Sequence, residues 1–84
     1  MPEIIMYCTA VCPYCIMAER LLTSKQVSIT KIRVDLDPER RNEMMTLSGR
    51  RTVPQIFIGN KHIGGYDDLS ALNERGGLDA LLAG

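Results

Sequence analysis

The sequence predicts an α/β fold, a four-stranded mixed sheet flanked by helices in the order β-α-β-α-β-β-α. Short apolar runs fall at Ile4-Ile5-Met6 and Ile56-Phe57-Ile58. Two stretches with first-turn prolines, Pro13 and Pro38, carry apolar residues at helical spacing. Gly59-Asn60 separates two strand-like runs by a two-residue turn.

Glu3-Ile4-Ile5-Met6-Tyr7 is mostly apolar, as suits a strand covered on both faces. A short loop leads to Cys12, and from Pro13 to about Lys25 a helix is expected, with Cys15, Ala18, Leu21 and Leu22 on its apolar stripe. Ser28 to Leu36 alternates, with Ile32, Val34 and Leu36 on one face, and reads as the second strand. Asp37 and Pro38 supply the N-cap and first-turn proline of a helix that carries Met44, Met45 and Leu47, the methionines as core filler, and stops at Gly49. Gln55–Ile58 and Lys61–Ile63 form a hairpin, and Gly64-Gly65 breaks it. Asp67 or Asp68 is expected to cap a helix through Leu69 and Leu72 to Arg75, ended by Gly76-Gly77, and Leu78 to Leu82 adds further helical turns. A helix joins the first two strands, so they run parallel with a right-handed crossover.

At 84 residues the chain reads as one domain, 1–84. A domain of this size buries about 60–65% of its unfolded surface, and 45% hydrophobic residues suffice for a core. Ten Lys and Arg balance ten Asp and Glu. There is no basic excess to neutralise phosphates, so nucleic acid is not an expected partner, and Arg40-Arg41 and Arg50-Arg51 read as solvated faces. No apolar run approaches the roughly 18–20 residues of a membrane span, and Met1-Pro2-Glu3 lacks a basic leader. A cytoplasmic location follows as an expectation. Three cysteines make an odd count for a secreted disulfide framework, so redox chemistry or metal binding is the reading in a reducing compartment.

Cys12-Pro13-Tyr14-Cys15 carries the chemistry. In the first turn of a helix, residues three apart lie on one side, within disulfide reach. Unpaired N–H groups at the helix start point at the first cysteine and favour its thiolate, the nucleophile of disulfide exchange. In such motifs the thiol pKa falls from about 8.5 to roughly 3.5–7.5. Cys12 is therefore expected to be partly exposed and to attack, and Cys15, one turn deeper, to resolve the mixed disulfide. Cys8 adds a C-x-x-x-C-x-x-C pattern, a spacing that holds iron–sulfur clusters in radical enzymes. Those need a large barrel that 84 residues cannot build. Cys8 ends an apolar strand and reads as a buried, inert thiol or an oxidation-prone one. His62 is too isolated to complete a zinc site, so no metal is expected.

The chain resembles a glutaredoxin of the short bacterial dithiol type from Ile4 to Leu82. The resemblance rests on three blocks: Cys12-Pro13-Tyr14-Cys15, Thr52-Val53-Pro54-Gln55-Ile56-Phe57-Ile58, and His62-Ile63-Gly64-Gly65-Tyr66-Asp67-Asp68-Leu69. It implies a thioredoxin-like fold and a thiol–disulfide oxidoreductase that acts on protein disulfides and protein–glutathione mixed disulfides. Glutathione is then the co-substrate, no cofactor is bound tightly, and the protein is a monomer. Val53-Pro54 corresponds to the family's cis bond, where the Val53 backbone is free to pair with an extended substrate like one more strand. Gly65, Tyr66, Asp67 and Asp68 correspond to the γ-glutamyl end of the glutathione site: helix-start N–H groups suit its carboxylate, and an Asp suits its ammonium. Tyr14 and Thr52 fall beside the sulfur, and Arg51 is a candidate partner for the glycyl carboxylate. Two departures stand out. Thr9 replaces a lysine common in relatives, which removes a cation beside Cys12 and implies a less acidic thiol. Cys8 lies outside the shared pattern. An iron–sulfur carrier and a thioredoxin-type reductant recharged by a flavoprotein remain as alternative readings.

Overall fold

The computed structural model describes residues 2–84. Its elements are β1 (Ile4–Cys8), α1 (Pro13–Ser24), β2 (Thr30–Arg33), α2 (Pro38–Ser48), β3 (Gln55–Ile58), β4 (Lys61–Gly64), α3 (Tyr66–Glu74) and α4 (Gly77–Ala83). The four strands form one sheet in the order β2-β1-β3-β4. β1 and β2 are parallel, as their helical crossover requires, whereas β3 is antiparallel to both β1 and β4.

Strand side chains alternate between two apolar layers. Ile4, Met6, Cys8, Ile56 and Ile58 face the layer completed by Cys15, Ala18 and Leu22 of α1, Leu69 of α3 and Leu78 and Leu82 of α4. Tyr7 and Phe57 face the other, with Val34 and with Met44 of α2. Both sheet faces are thus covered, which is why β1 and β3 are apolar at nearly every position.

Most boundaries match the sequence reading, and the exceptions have local causes. The second strand is Thr30–Arg33 instead of Ser28–Leu36. Asp35 ends it: its carboxylate takes two bonds from the Arg33 guanidinium, at 2.7 Å each, and one from the Ala10 N–H at 3.4 Å. This short-range pairing turns the chain at residues 34–36, so Leu36, expected on the core face, is 71% exposed. Leu47 of α2 is exposed as well. Asp37 caps α2 as expected, accepting from Glu39 N–H and Arg40 N–H, and Gly49 closes it in the left-handed region. The hairpin turns at Gly59 with a β-bulge at Ile56/Phe57.

The start of α3 corrects the sequence reading. Neither Asp67 nor Asp68 is the N-cap. The helix begins at Tyr66 with Gly65 as cap, and Asp68, in its first turn, reaches back to accept the Gly65 N–H at 3.0 Å. Gly64 makes this possible: at φ +118 it turns the chain into the helix, and a Cβ there would strike the Asp68 carboxylate.

Candidate active site

Sheet and helix meet at Cys12. β1 delivers the chain to Cys8, a short loop follows, and Cys12 stands in extended conformation as the N-cap of α1. Its sulfur is the capping atom: the Cys15 N–H donates to Cys12 Sγ at 3.1 Å. Pro13, lacking an N–H, fills the first helical position without leaving a donor unmet. Cys12 and Cys15, with Cα atoms 5.2 Å apart, are joined as a disulfide. The helix start therefore holds the two sulfurs together and aims an N–H at the one expected to ionise. The exposure of Cys12 differs from expectation. It is 8% exposed, because its sulfur is bonded to Cys15 and turned toward the Val53 carbonyl oxygen, 3.9 Å away.

A groove of about 360 Å³ runs along Val53, whose carbonyl oxygen lies 3.9 Å from Cys12 Sγ. Tyr14, Thr52, Val53 and Pro54 line one side, and Gly65, Tyr66, Asp67 and Asp68 the other. Of the nine residues singled out beside the cysteines, all but Arg51 thus fall in one depression. The Val53-Pro54 bond is cis. The Tyr14 and Tyr66 rings stack with centroids 6.4 Å apart, bridging α1 and the start of α3. Asp68 Oδ2 is already engaged by Arg50 at 2.8 Å and by the Gly65 N–H, and the Arg50 guanidinium holds its carboxyl below the usual range. Asp67 makes no side-chain hydrogen bond or ion pair among the described residues and stands open to the groove.

Two lining residues were not anticipated from sequence. Arg50, and not Arg51, faces the groove. Adjacent arginines after a helix end look alike in sequence; the turn after Gly49 decides which points inward. Gln55 is the other, and a signal for it existed: it is the one polar side chain in an otherwise apolar strand.

A second cavity, about 320 Å³, lies against the cysteines themselves. Cys8, Thr9, Cys12 and Cys15 line it together with Glu19, Lys31 and Arg33. Its charges are paired, Lys31 with Glu19 at 3.1 Å and Arg33 with Asp35 at 2.7 Å. Burial pushes the Cys8 thiol up, against the pull of Lys31 and Arg33. No group of three His, Cys, Asp or Glu side chains among the described residues is arranged to hold a metal. His62 bonds Gln55 instead, and burial, followed by the nearby Arg50, lowers its pKa.

A redox-active cysteine pair capping a helix just past the end of an inner strand of a mixed four-stranded sheet, beside a cis-proline, defines a thiol–disulfide oxidoreductase of thioredoxin-like fold. Comparison with known proteins resolves the class further. The glutaredoxin family model matches residues 4–63. A glutaredoxin of Neisseria meningitidis is 54% identical over 83 residues, covering 98% of both chains, and glutaredoxin 3 of Escherichia coli is 52% identical over 82 residues, covering 98% of this chain and 99% of its own. The solution structure of a Brucella melitensis glutaredoxin superposes with a TM-score of 0.86 at 49% identity, covering 98% of this chain and 89% of that one. A buckwheat glutaredoxin–glutathione complex superposes at 0.90 with 27% identity, covering 98% and 77%. The chain belongs to the glutaredoxin family, whose members use glutathione as a substrate.

Proposed function

We propose that this glutaredoxin reduces protein–glutathione mixed disulfides and protein disulfides, with Cys12 as nucleophile, Cys15 as resolving thiol and glutathione as reductant. In the first reaction the Cys12 thiolate attacks the glutathione sulfur of the mixed disulfide, and the protein thiolate leaves. A second glutathione thiolate then attacks that same sulfur, releasing oxidised glutathione and restoring Cys12. In the second reaction Cys12 opens a protein disulfide, Cys15 attacks Cys12 Sγ, and the reduced protein departs. The Cys12–Cys15 disulfide remains, and two glutathione molecules return it to the dithiol.

The groove supports a glutathione site. Val53 offers its backbone to the substrate strand, and Thr52, Pro54 and Tyr14 line the groove beside it. The free N–H groups from Tyr66 to Asp68 suit the γ-glutamyl carboxylate, and the open Asp67 carboxylate suits its ammonium. Asp68 acts by holding that helix start closed, and Arg50 is the groove's cation for the glycyl carboxylate. We further propose that the protein acts as a monomer in the cytoplasm, on glutathione and disulfide-bearing proteins. The redox spacing of its cysteines fits a reducing compartment, and its balanced charge offers no footing for nucleic acid.

One observation carries the reading: the Cys15 N–H bonded to Cys12 Sγ, beside a groove that ends on a helix start. The test is glutathione-dependent reduction of a glutathionylated peptide. Wild type is expected to turn over, Cys12→Ser to be inactive, and Cys15→Ser to keep this activity while losing reduction of protein disulfides. An active Cys12→Ser, or a folded Cys15→Ser that loses both reactions equally, overturns the assignment.

A further inference from the structure

Gln55 is the only polar residue among the buried ones described, with none of its surface exposed. It opens β3 directly after Pro54 and forms part of the groove wall. Both ends of its amide are bonded. Nε2 donates to the Thr52 carbonyl oxygen at 3.0 Å and to Thr52 Oγ1 at 3.3 Å, while Oε1 lies 2.8 Å from His62 Nε2. The carbonyl of Thr52 can only accept, which fixes the amide with its nitrogen toward Thr52. Oε1 must then accept, so His62 carries its proton on Nε2 and donates. The His62 ring is itself held against Phe57, with centroids 4.9 Å apart.

The Thr52 carbonyl and the Val53 N–H are the two ends of one peptide plane. That peptide is trans, so the two groups point in opposite directions. Pro54 has no N–H, which leaves Val53 as the backbone donor on this stretch of the groove. Whatever pins the Thr52 oxygen from the core side therefore aims the Val53 N–H the other way. We infer that Gln55, oriented by His62, is a positioning residue for substrate: it fixes the Thr52–Val53 peptide plane so that the Val53 N–H is presented to the backbone of the bound disulfide substrate. The polarity of Gln55 makes sense on this account. An apolar side chain would fill the same space without desolvating an amide, but would leave the Thr52 carbonyl unpaired beneath the groove. The chain His62–Gln55–Thr52 touches neither sulfur, so its effect falls on binding and not on the chemistry of Cys12.

This inference rests on the groove's being the substrate site. The experiment measures kcat and KM for a glutathionylated peptide, with the melting temperature and the alkylation rate of Cys12 as controls. Gln55→Leu is expected to raise KM about five- to tenfold, the worth of one buried hydrogen bond, with kcat and alkylation rate within about twofold of wild type. His62→Leu is expected to raise KM by a smaller factor. His62→Gln, whose amide can still donate to Gln55 Oε1, is expected to restore it. An unchanged KM in folded Gln55→Leu, or a fall in kcat and alkylation rate instead, overturns the inference. Should Gln55→Leu fail to fold, the His62→Leu and His62→Gln pair decides: equal KM values for the two reject it. A wild type inert toward the peptide rejects the functional reading itself, and this inference with it, whereas an active wild type with indifferent variants rejects this inference alone.

Discussion

The groove beside Val53 and the cavity against the active-site cysteines are alike in size and opposite in character. The groove beside Tyr14 and Pro54 displays open polar groups: the helix-start N–H groups of α3, the Asp67 carboxylate and the Val53 backbone. The cavity beneath Cys8 carries charges closed on one another, in the Lys31–Glu19 and Arg33–Asp35 pairs. One side retains hydrogen-bonding capacity for a ligand, and the other has spent it internally. Depth alone does not mark a recognition site; unmet polar groups do.

The largest expected contrast is between the cysteines. In the reduced protein Cys12 is expected to be alkylated about a hundredfold faster than Cys8 at neutral pH, because helix-start N–H groups favour its thiolate while burial raises the thiol of Cys8. Mass spectrometry of a time course measures both rates, and equal rates would erase the distinction between the two depressions.

Charge reversal gives the next largest effect. Asp67→Lys, in the groove, is expected to raise KM for a glutathionylated peptide about tenfold or more, the loss of a charge-assisted contact. Lys31→Glu, in the cavity, is expected to leave KM within about twofold. A smaller change tests whether the cavity can influence the chemistry. Thr9→Lys places an unpaired cation there and is expected to speed Cys12 alkylation about threefold at low salt, with the gain fading as salt is added.

The smallest effect concerns acid. Arg33 holds the Asp35 carboxyl at about 2, below the ordinary 3.8. The folded state binds this proton more weakly than the unfolded chain does. The stabilisation is therefore complete above about pH 4 and is lost as the pH falls toward 2. Asp35 is open to solvent, so the expected signature is a slight difference in melting temperature between wild type and Asp35→Asn at neutral pH that narrows below about pH 4 and closes only below about pH 2.

Elements bounded by strong local chemistry were legible in the sequence: Pro13 and Pro38 at helix starts, Asp37 as a cap, Gly49 as a stop, the Gly59-Asn60 turn. Leu36 misled because alternation alone cannot show that Arg33 will bond Asp35 and end the strand between them. Asp68 misled for a related reason. An acidic residue near a helix start can cap from in front or reach back from the first turn, and only the bend at Gly64 selects the second. In the site, the residues on the groove wall came from the family resemblance, whereas Cys12 and Cys15 followed from spacing and chemistry. Arg50 and Gln55 required the fold, since their roles depend on partners that lie 18 and 7 residues away.

The reacting sulfur is also the atom that starts α1. Blocking reagents aimed at Cys12 therefore do two things at once: they silence the enzyme and blunt the acceptor on which the first turn is hung. Serine is the better replacement for study, since its hydroxyl oxygen can take over the bond from the Cys15 amide, whereas alanine would leave that turn to fray and confuse a chemical defect with a loosened backbone.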